Sequence, residues 1–199
     1  MDPVTLGRTL GFSFAAGVNL YATVAILGLA ARFDWVELPP QFAVFDNDVV
    51  IVVAIALYVI EFFADKIPYF DSLWDLIHTA IRPVGGALIA VATLGEASPT
   101  LQGLIALVGG AVAAGSHLTK TSTRAVANTS PEPLSTWFLS LGEDVFVVGL
   151  GYLALRYPMA ALVVAVLLIV MVLVFAALIV RTARRWFSGR RSRAVTAGG

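Results

Sequence analysis

The chain contains no cysteine, so disulfide bonds, thiolate metal sites and a cysteine nucleophile are all excluded. Charged residues are also scarce: they make up 13% of the 199 residues, about half of the roughly 25% found in ordinary soluble domains. Hydrophobic residues make up 59%, and the mean hydropathy is +0.88. A composition this apolar indicates a protein whose surroundings are the lipid bilayer.

Motifs for common chemistries are absent as well. The chain has no phosphate-binding glycine loop, no G-x-S-x-G nucleophile motif, no H-E-x-x-H zinc motif and no nucleic-acid signature. We therefore expect no cofactor and no nucleic-acid partner. A removable signal peptide is not expected, because the first residues carry Asp2 where a basic segment belongs and the first apolar run is too long.

Six apolar runs predict an all-α membrane protein with about six transmembrane segments, one or two of which could be re-entrant. They cover residues 9–31, 49–64, 76–97, 101–118, 130–155 and 159–180. Lysines and arginines near the ends of the runs predict a multi-pass protein of the cytoplasmic membrane with both termini in the cytoplasm. Residues 183–199 form a basic cytoplasmic tail that we expect to be disordered.

An internal similarity suggests two related halves. At a shift of 98 residues, AAGVNLYAT (Ala15 to Thr23) aligns with AAGSHLTKT (Ala113 to Thr121). The halves, residues 1–98 and 99–182, would each contain three spans, and an odd number requires the second to be inverted in the membrane. Inverted repeats are typical of transporters, whose sites lie at the repeat interface and use interrupted helices.

Polar side chains within the apolar runs are the candidate site, because charges at membrane depth are costly and mark pathways or paired networks. The carboxylates expected to bind protons or cations are Glu61, Asp65, Glu143 and Asp144. The side chains expected to bind an anionic molecule or lipid head group are Asn19, Lys66, Asp71, Asp75, His78, Arg82, His117, Lys120, Arg124 and Asn128. No residue is assigned as catalytic.

Two other interpretations of these residues stay open. The charges could form an ion-pair lattice that only braces the helix bundle. Alternatively, Asp71, Asp75 and His78 fall at positions i, i+4 and i+7, so they share one helical face and could form a metal or acid/base set.

Three motifs together resemble a known family. They are Glu61-x-x-Ala64-Asp65-Lys66-x-Pro68-x-x-Asp71-x-x-Trp74-Asp75-x-x-His78-Thr79-x-x-Arg82-Pro83, then His117-x-x-Lys120-x-x-x-Arg124-x-x-x-Asn128-x-Ser130-Pro131-Glu132-Pro133, and Glu143-Asp144. In these the chain resembles, over roughly residues 6–180, the bacterial membrane family catalogued as domain of unknown function 4126. The resemblance implies a membrane fold and supplies no activity.

The function expected from these features is that of a small secondary transporter or lipid translocase, proton-coupled and not an enzyme. Its partners would be membrane lipids and an anionic small molecule or head group, and self-association is left open. The alternatives are a membrane-embedded hydrolase or phosphatase with the Asp/His set, and a non-catalytic scaffold. The expected architecture is similar to that of polyprenyl-phosphate translocases, an analogy of fold alone.

Overall fold

The computed structural model describes residues 1–127 and 133–196, with the side chains of Pro68, residues 133–135, Ala183 and residues 185–196 left aside. These residues form seven α-helices and one short 3-10 helix. The α-helices are α1 (Pro3–Val18), α2 (Leu20–Arg32), α3 (Asp48–Ala64), α4 (Pro68–Leu94), α5 (Pro99–Ala127), α6 (Pro133–Arg156) and α7 (Pro158–Thr196), and the 3-10 helix is Pro40–Phe45. No strand occurs in the described ranges.

Four of the helices are long and apolar enough to cross a membrane. The spans are Tyr69–Leu94, Pro99–Ala127, Thr136–Arg156 and Pro158–Thr182. The last has a mean hydropathy of 3.5, yet only 6% of its best window is buried, so most of its apolar surface needs lipid around it. Helix α3 adds a further apolar helix of 17 residues, about 26 Å long at 1.5 Å per residue. The protein is therefore a multi-pass α-helical membrane protein.

The first apolar run is not the single helix that we predicted. Helix α1 ends at Val18, Asn19 is extended (φ −148°, ψ 100°), and α2 begins at Leu20. The Asn19 side chain accepts a hydrogen bond from Ala22 N at 2.9 Å. Asparagine is among the best N-cap residues, because its side-chain oxygen satisfies a free amide of the first turn. The residue that interrupts the run thus starts the next helix.

Helices α1 and α2 form a re-entrant hairpin, because its two ends lie at the same face of the bundle. In the first half of α1, Thr9 Oγ1 lies 3.1 Å from Thr93 Oγ1 near the end of α4. Near the end of α2, Gly28 packs on Ile51 in the first turn of α3. Gln41 Nε2, in the connection between α2 and α3, donates to Thr93 O at 3.4 Å. We call this side the amino-terminal face, and Asn19 is the hairpin tip, within the bundle.

The hairpin changes the topology from the predicted one. Helices α3 to α7 run alternately between the two faces of the bundle, and α4 to α7 contain the four candidate membrane spans. Gly7 packs on Pro158, where α7 begins, and the other end of α7 therefore lies at the opposite face. The prediction of both termini on one side required the first run to span, and it is not confirmed. Helix α7 also continues to Thr196, through much of the tail that we expected to be disordered. Arginine is a good helix former, so a segment rich in arginine can extend a helix.

The six-span inverted repeat is not confirmed. The alignment pairs α1 with the first half of α5, and inversion would make these helices antiparallel. They are parallel, because Ser116 Oγ donates to Phe14 O at 2.9 Å and Lys120 Nζ, one turn further, donates to Val18 O at 3.2 Å. The other aligned pairs, α3 with α6 and α4 with α7, do run in opposite directions. The division at residues 98 and 99 stays a prediction.

Helix α1 is the central element of the bundle, buried at every position from Thr9 to Val18. Its glycines permit close approach of neighbouring helices. A Cβ atom on Gly17 would collide with Ala113 O and Ser116 Oγ, and one on Gly11 would stand 3.2 Å from Ala154 Cβ. Close packing on α5 brings the end of α1 against the charged side chains of that helix.

Candidate functional site

Nine charged side chains converge beside the hairpin tip, and we call them the ionic cluster. The cations are Arg82, Lys120 and Arg124, and the carboxylates are Glu61, Asp65, Asp71, Asp75, Glu143 and Asp144. Eight of the residues are at most 8% exposed, and the Glu143 side chain is 13% exposed. Four helices contribute: α4 from its first turn to its middle, α5 from its second half, α3 from its last turn and its C-cap, and α6 from its middle.

Arg82, which is fully buried, connects α4 to the hairpin and to α3. Its Nη2 donates to Glu61 Oε1 at 2.7 Å, and both side chains have zero exposure. Its Nη1 donates to Gly17 O at 3.1 Å and to His117 Nδ1 at 2.8 Å. Because a guanidinium remains charged at any pH that proteins tolerate, Arg82 fixes one positive charge at this depth.

Arg124 is engaged through all of its nitrogens. Nε donates to both oxygens of Glu143 at 3.1 Å. Nη1 donates to Asp71 Oδ1 at 2.6 Å and to Asp65 O at 2.9 Å, while Nη2 donates to Asp65 Oδ2 at 2.9 Å and contacts Glu143 Oε2. A guanidinium has five N–H donors, and these contacts occupy them. An anion could bind here only by replacing a carboxylate.

Lys120 lies at the centre of the cluster. Its Nζ is 3.1 Å from Asp65 Oδ2, 3.4 Å from Glu61 Oε1 and 3.4 Å from Glu143 Oε2. It also donates to Val18 O at 3.2 Å. The ammonium thus joins α3, α5, α6 and the end of α1, and every predicted coupling carboxylate except Asp144 lies within ion-pair distance of it.

At the hairpin tip, the C-terminus of α1 faces cations and the N-terminus of α2 faces an anion. The carbonyls of Gly17 and Val18, at the end of α1, accept from Arg82 and Lys120. At the start of α2, Asn19 Nδ2 donates to Asp144 Oδ1 at 3.3 Å. Helix C-termini favour cations and N-termini favour anions. The break at Asn19 therefore supplies polar backbone groups to a charged site within the bundle, as interrupted helices of transporters do.

The cluster has more carboxylates than cations. Within the described part of the chain it holds six carboxylates and three cations, so full ionisation would leave three uncompensated negative charges. Four buried carboxylate oxygens accept no hydrogen bond: Glu61 Oε2, Asp65 Oδ1, Asp75 Oδ1 and Asp144 Oδ2. Buried charge without a partner is strongly unfavourable, so the cluster is suited to bind protons or other cations.

The two histidines are held in defined tautomers by their partners. Because Arg82 can only donate, His117 Nδ1 accepts, and its Nε2–H faces Asp75 O and Thr79 Oγ1, both at 3.2 Å. His78 Nδ1 donates to Trp74 O at 2.7 Å, and its Nε2 lies 2.9 Å from Tyr21 OH. A proton added at His117 Nδ1 would face the Arg82 guanidinium, so His117 is a poor proton carrier here.

The alternative metal set does not come together. Asp71 pairs with Arg124, and His78 contacts Tyr21 and Trp74, so these side chains are held by different partners. No group of three or more histidine and acidic side chains close enough to hold a metal ion occurs among the described residues. The hydrolase interpretation thus has no geometric support from these three residues.

Two predicted substrate-binding residues lie apart from the cluster. Lys66 follows α3, and its Nζ donates to Phe62 O at 2.9 Å and lies 3.0 Å from the centroid of the Phe62 ring. Burial lowers the pKa of Lys66, because desolvation disfavours the ammonium form. None of its hydrogen bonds involves a carboxylate. Asn128 lies outside the described residues.

Two cavities approach the cluster. The larger, of about 610 Å³, is an apolar groove between α2, α3 and α4 that includes Tyr21, Leu57 and Gly85. The smaller, of about 260 Å³, lies between α4 and α5 and is lined by Asp71, Asp75, Thr79 and Arg124, among others. The first is lined by apolar side chains apart from Tyr21, and the second is lined in part by charged and hydroxyl side chains.

Sequence reasoning missed three contributors: the carbonyls of Gly17 and Val18, and the Tyr21 hydroxyl. A backbone carbonyl carries no side-chain signal, but Asn19 in mid-run was a usable one, because asparagine both breaks and caps helices. Tyr21, two residues further on, would then have been placed in the first turn of a new helix beside the tip.

The fold and site define a class: a multi-pass helical membrane protein with a re-entrant hairpin whose tip lies in a buried ionic cluster. The chain belongs to the family described as Domain of unknown function (DUF4126), whose sequence profile matches residues 6–177. The family resemblance of the three motifs is thereby confirmed. No curated protein and no solved structure matches the chain.

Proposed function

We propose that the protein is a small secondary transporter of the cytoplasmic membrane that translocates an anionic lipid, coupled to proton binding. The observation that carries this proposal is the buried ionic cluster, with its excess of carboxylates, at the tip of an interrupted helix. Charges at membrane depth mark ion pathways, and a cluster that lacks three positive charges can exchange protons without losing its fixed cations.

Competition for the cations supplies the coupling. Arg124 has no free donor while Glu143, Asp71 and Asp65 are ionised. Protonating one of these carboxylates weakens its bond to Arg124, because a charge-assisted hydrogen bond is about twice as strong as a neutral one. A phosphate oxygen can then take the vacated donors. Proton and anion would bind together, because protonation frees donors of Arg124 and the bound anion then compensates the charge of that guanidinium.

The apolar groove supports a lipid as the substrate. Its lining residues are apolar apart from Tyr21 and come from α2, the 3-10 helix, α3 and α4. Leu57 lines it one turn before Glu61, and Gly85 lines it one turn after Arg82. A lipid whose chain occupies the groove would bring its head group to the Glu61–Arg82 pair. Lys66 adds a cation near the membrane surface, where anionic head groups attract basic residues.

Orientation follows from the distribution of charge on the two faces. Basic residues are more numerous toward the opposite face: Lys66 and Arg181 lie there, and the sequence continues with Arg184, Arg185, Arg190, Arg191 and Arg193. The amino-terminal face has Arg8, Arg32 and Arg156. By the positive-inside rule, the opposite face is cytoplasmic and the amino terminus is external. The cluster is therefore closer to the cytoplasm.

A non-catalytic scaffold is the second candidate, because the three cations are all paired. A purely structural lattice would be expected to balance its charges, since an unpaired buried carboxylate destabilises the fold. The excess of carboxylates favours the transporter.

The test uses purified protein in vesicles containing traces of NBD-labelled phosphatidylglycerol. External dithionite removes the fluorescence of the outer leaflet only, so translocation appears as further loss. We expect a pH gradient to accelerate this further fluorescence loss. Glu61→Gln should slow the loss about tenfold or more, whereas Glu37→Gln, in the exposed connection, should match the wild type. NBD-phosphatidylcholine reports head-group selectivity. The proposal would be overturned if translocation were no faster than in protein-free vesicles, whichever side of the membrane is made more acidic.

A further inference from the structure

We propose that the pocket between α4 and α5 binds a monovalent cation, an alkali-metal ion or a small ammonium, on Asp75. This inference rests on the proposed function, because the cation would be the species that exchanges with a proton at the transporter's buried site. The cation would enter through this pocket from the opposite face of the bundle.

The first observation is that the Asp75 carboxylate accepts no hydrogen bond. Asp75 is 5% exposed, and the hydrogen bonds recorded at this residue end on its backbone oxygen, from Thr79 and His117. Its Oδ1 is buried without a hydrogen-bond partner. Carboxylates as buried as this one normally accept two or more hydrogen bonds. The protein therefore supplies no hydrogen-bond donor to the Asp75 carboxylate, and a ligand for it must come from solution.

The second observation is the cavity in front of it. Asp75 lines the pocket of about 260 Å³, together with the hydroxyl-bearing residues Thr79 and Thr121. A water molecule takes about 30 Å³ of liquid volume, so the space admits a cation with part of its hydration shell. Carboxylate, hydroxyl and water oxygens are the ligands that hard cations prefer.

The surrounding charges do not neutralise Asp75. Arg82 is the nearest cation, with Nη1 at 3.7 Å, but its closest carboxylate is Glu61 at 2.7 Å. Arg124, which also lines the pocket, has its donors occupied. The charged and titratable groups that face Asp75 are Asp71 and Arg82 on α4, His117, Lys120 and Arg124 on α5, and Asp65 after α3.

The ligand should carry a single charge. Of the two carboxylates that line the pocket, Asp75 has only the 3.7 Å ion pair with Arg82, whereas Asp71 is held by Arg124 at 2.6 Å. Three acidic or histidine ligands, which a divalent metal would favour, do not come together in the described residues. One carboxylate with hydroxyls and water suits a weakly held monovalent ion that can leave again. A proton on Asp75 satisfies the same need, so proton and cation should exclude each other.

The experiment measures proton release from the full-length protein in detergent, in weak buffer with a pH indicator. NaCl, KCl and methylammonium chloride are titrated separately, with N-methylglucamine chloride as the ionic-strength control. We expect saturable release for at least one of the three cations and none for N-methylglucamine. Asp75→Asn should weaken the response at least about tenfold, and Asp34→Asn should leave it unchanged, because Asp34 is exposed with φ +48°, a conformation that asparagine tolerates.

A second readout uses the wild-type chain alone, so it stands even if a variant misfolds. A hydrophobic carbodiimide should modify Asp75, and the effective cation should protect it, as read by mass spectrometry of peptides. Absence of proton release with all three cations, release that persists in Asp75→Asn, or modification that no cation prevents would each overturn the inference. Lipid translocation driven by a pH gradient would survive that outcome, so the two proposals fail separately.

Discussion

Removing a cation from the ionic cluster should destabilise the fold far more than removing a carboxylate. Lys120→Met and Asp144→Asn make the sharpest comparison. Lys120 contacts three carboxylates and Val18 O, and its loss raises the negative excess from three to four. Asp144 has one neutral hydrogen bond, from Asn19, which an asparagine oxygen can still accept. Its replacement lowers the excess to two.

The expected magnitudes differ by several kcal/mol. Removing one partner from a buried ion pair destabilises by about 3–5 kcal/mol, because the remaining charge is uncompensated. Lys120→Met should fall in that range, which is roughly two to three and a half decades in the unfolding equilibrium. Asp144→Asn removes an unpaired charge, so its effect should stay within about 1 kcal/mol and can be stabilising.

The assay is reversible unfolding in mixed micelles of increasing dodecyl sulfate content, followed by far-ultraviolet circular dichroism. Both variants are compared with wild type under the same conditions, and linear extrapolation gives the change in unfolding free energy. Equal losses for Lys120→Met and Asp144→Asn, or a larger loss for Asp144→Asn, would refute the claim that the cluster has an excess of negative charge.

Three further predictions concern the hairpin. Gly17→Ala should destabilise the fold by about 1–3 kcal/mol, because the added Cβ would collide with Ala113 O on α5. The control Gly103→Ala, at a position with nothing within 4 Å, should be neutral or slightly stabilising. Equal effects of the two substitutions would mean that α1 and α5 are not in close contact. Asn19→Ala should lose about 1–2 kcal/mol in the same unfolding assay, since the cap of α2 disappears; no loss would argue that the helix is unbroken. Because the chain has no cysteine, single cysteines can map the faces: Val4→Cys and Ser98→Cys should react with an impermeant maleimide from one side of the membrane, and Ile67→Cys only from the other. Labelling of Val4→Cys and Ile67→Cys from the same side would contradict the re-entrant hairpin.

Several elements could be predicted from the sequence because each is specified locally. The run predicted at residues 49–64 corresponds to α3, Asp48–Ala64, since Asp48 and Asp65 bound an apolar stretch whose one charged residue is Glu61. His117, Lys120 and Arg124 are spaced by three and four residues in the sequence, so they share one face of α5, and all three are buried. Spacing of three or four residues fixes such a face whatever the tertiary structure.

The hairpin could not be predicted from hydropathy. The average over a span-length window hardly changes when one asparagine stands among twenty apolar residues, so residues 9–31 appeared to be a single span. Only the capping preference of Asn19 distinguished a break from a tolerated polar residue. The direction in which α2 returns depends on contacts of Gly28 and Leu20 with distant helices, and no local pattern encodes those.

The partners of the cations were likewise beyond local sequence. Arg124 pairs with Glu143, 19 residues later, and with Asp65, 59 residues earlier. Without those distances, a cluster of cations predicts an anion site, whereas the structure shows the cations bound to carboxylates. Asp71, Asp75 and His78 share a face as predicted, but a helical face is wide enough for each to meet a different neighbour.

Infrared difference spectroscopy gives the most direct test of the central claim, that the ionic cluster binds protons within the membrane. The carbonyl stretch of protonated carboxyl side chains, recorded on purified protein in lipid between alkaline and mildly acidic pH, reports each carboxylate as it gains its proton. We expect a protonated-carboxyl band that shifts in deuterium oxide and loses intensity in Asp75→Asn and Asp144→Asn, the two carboxylates with least cationic support. A spectrum without such a band, or one that neither substitution changes, would contradict the account.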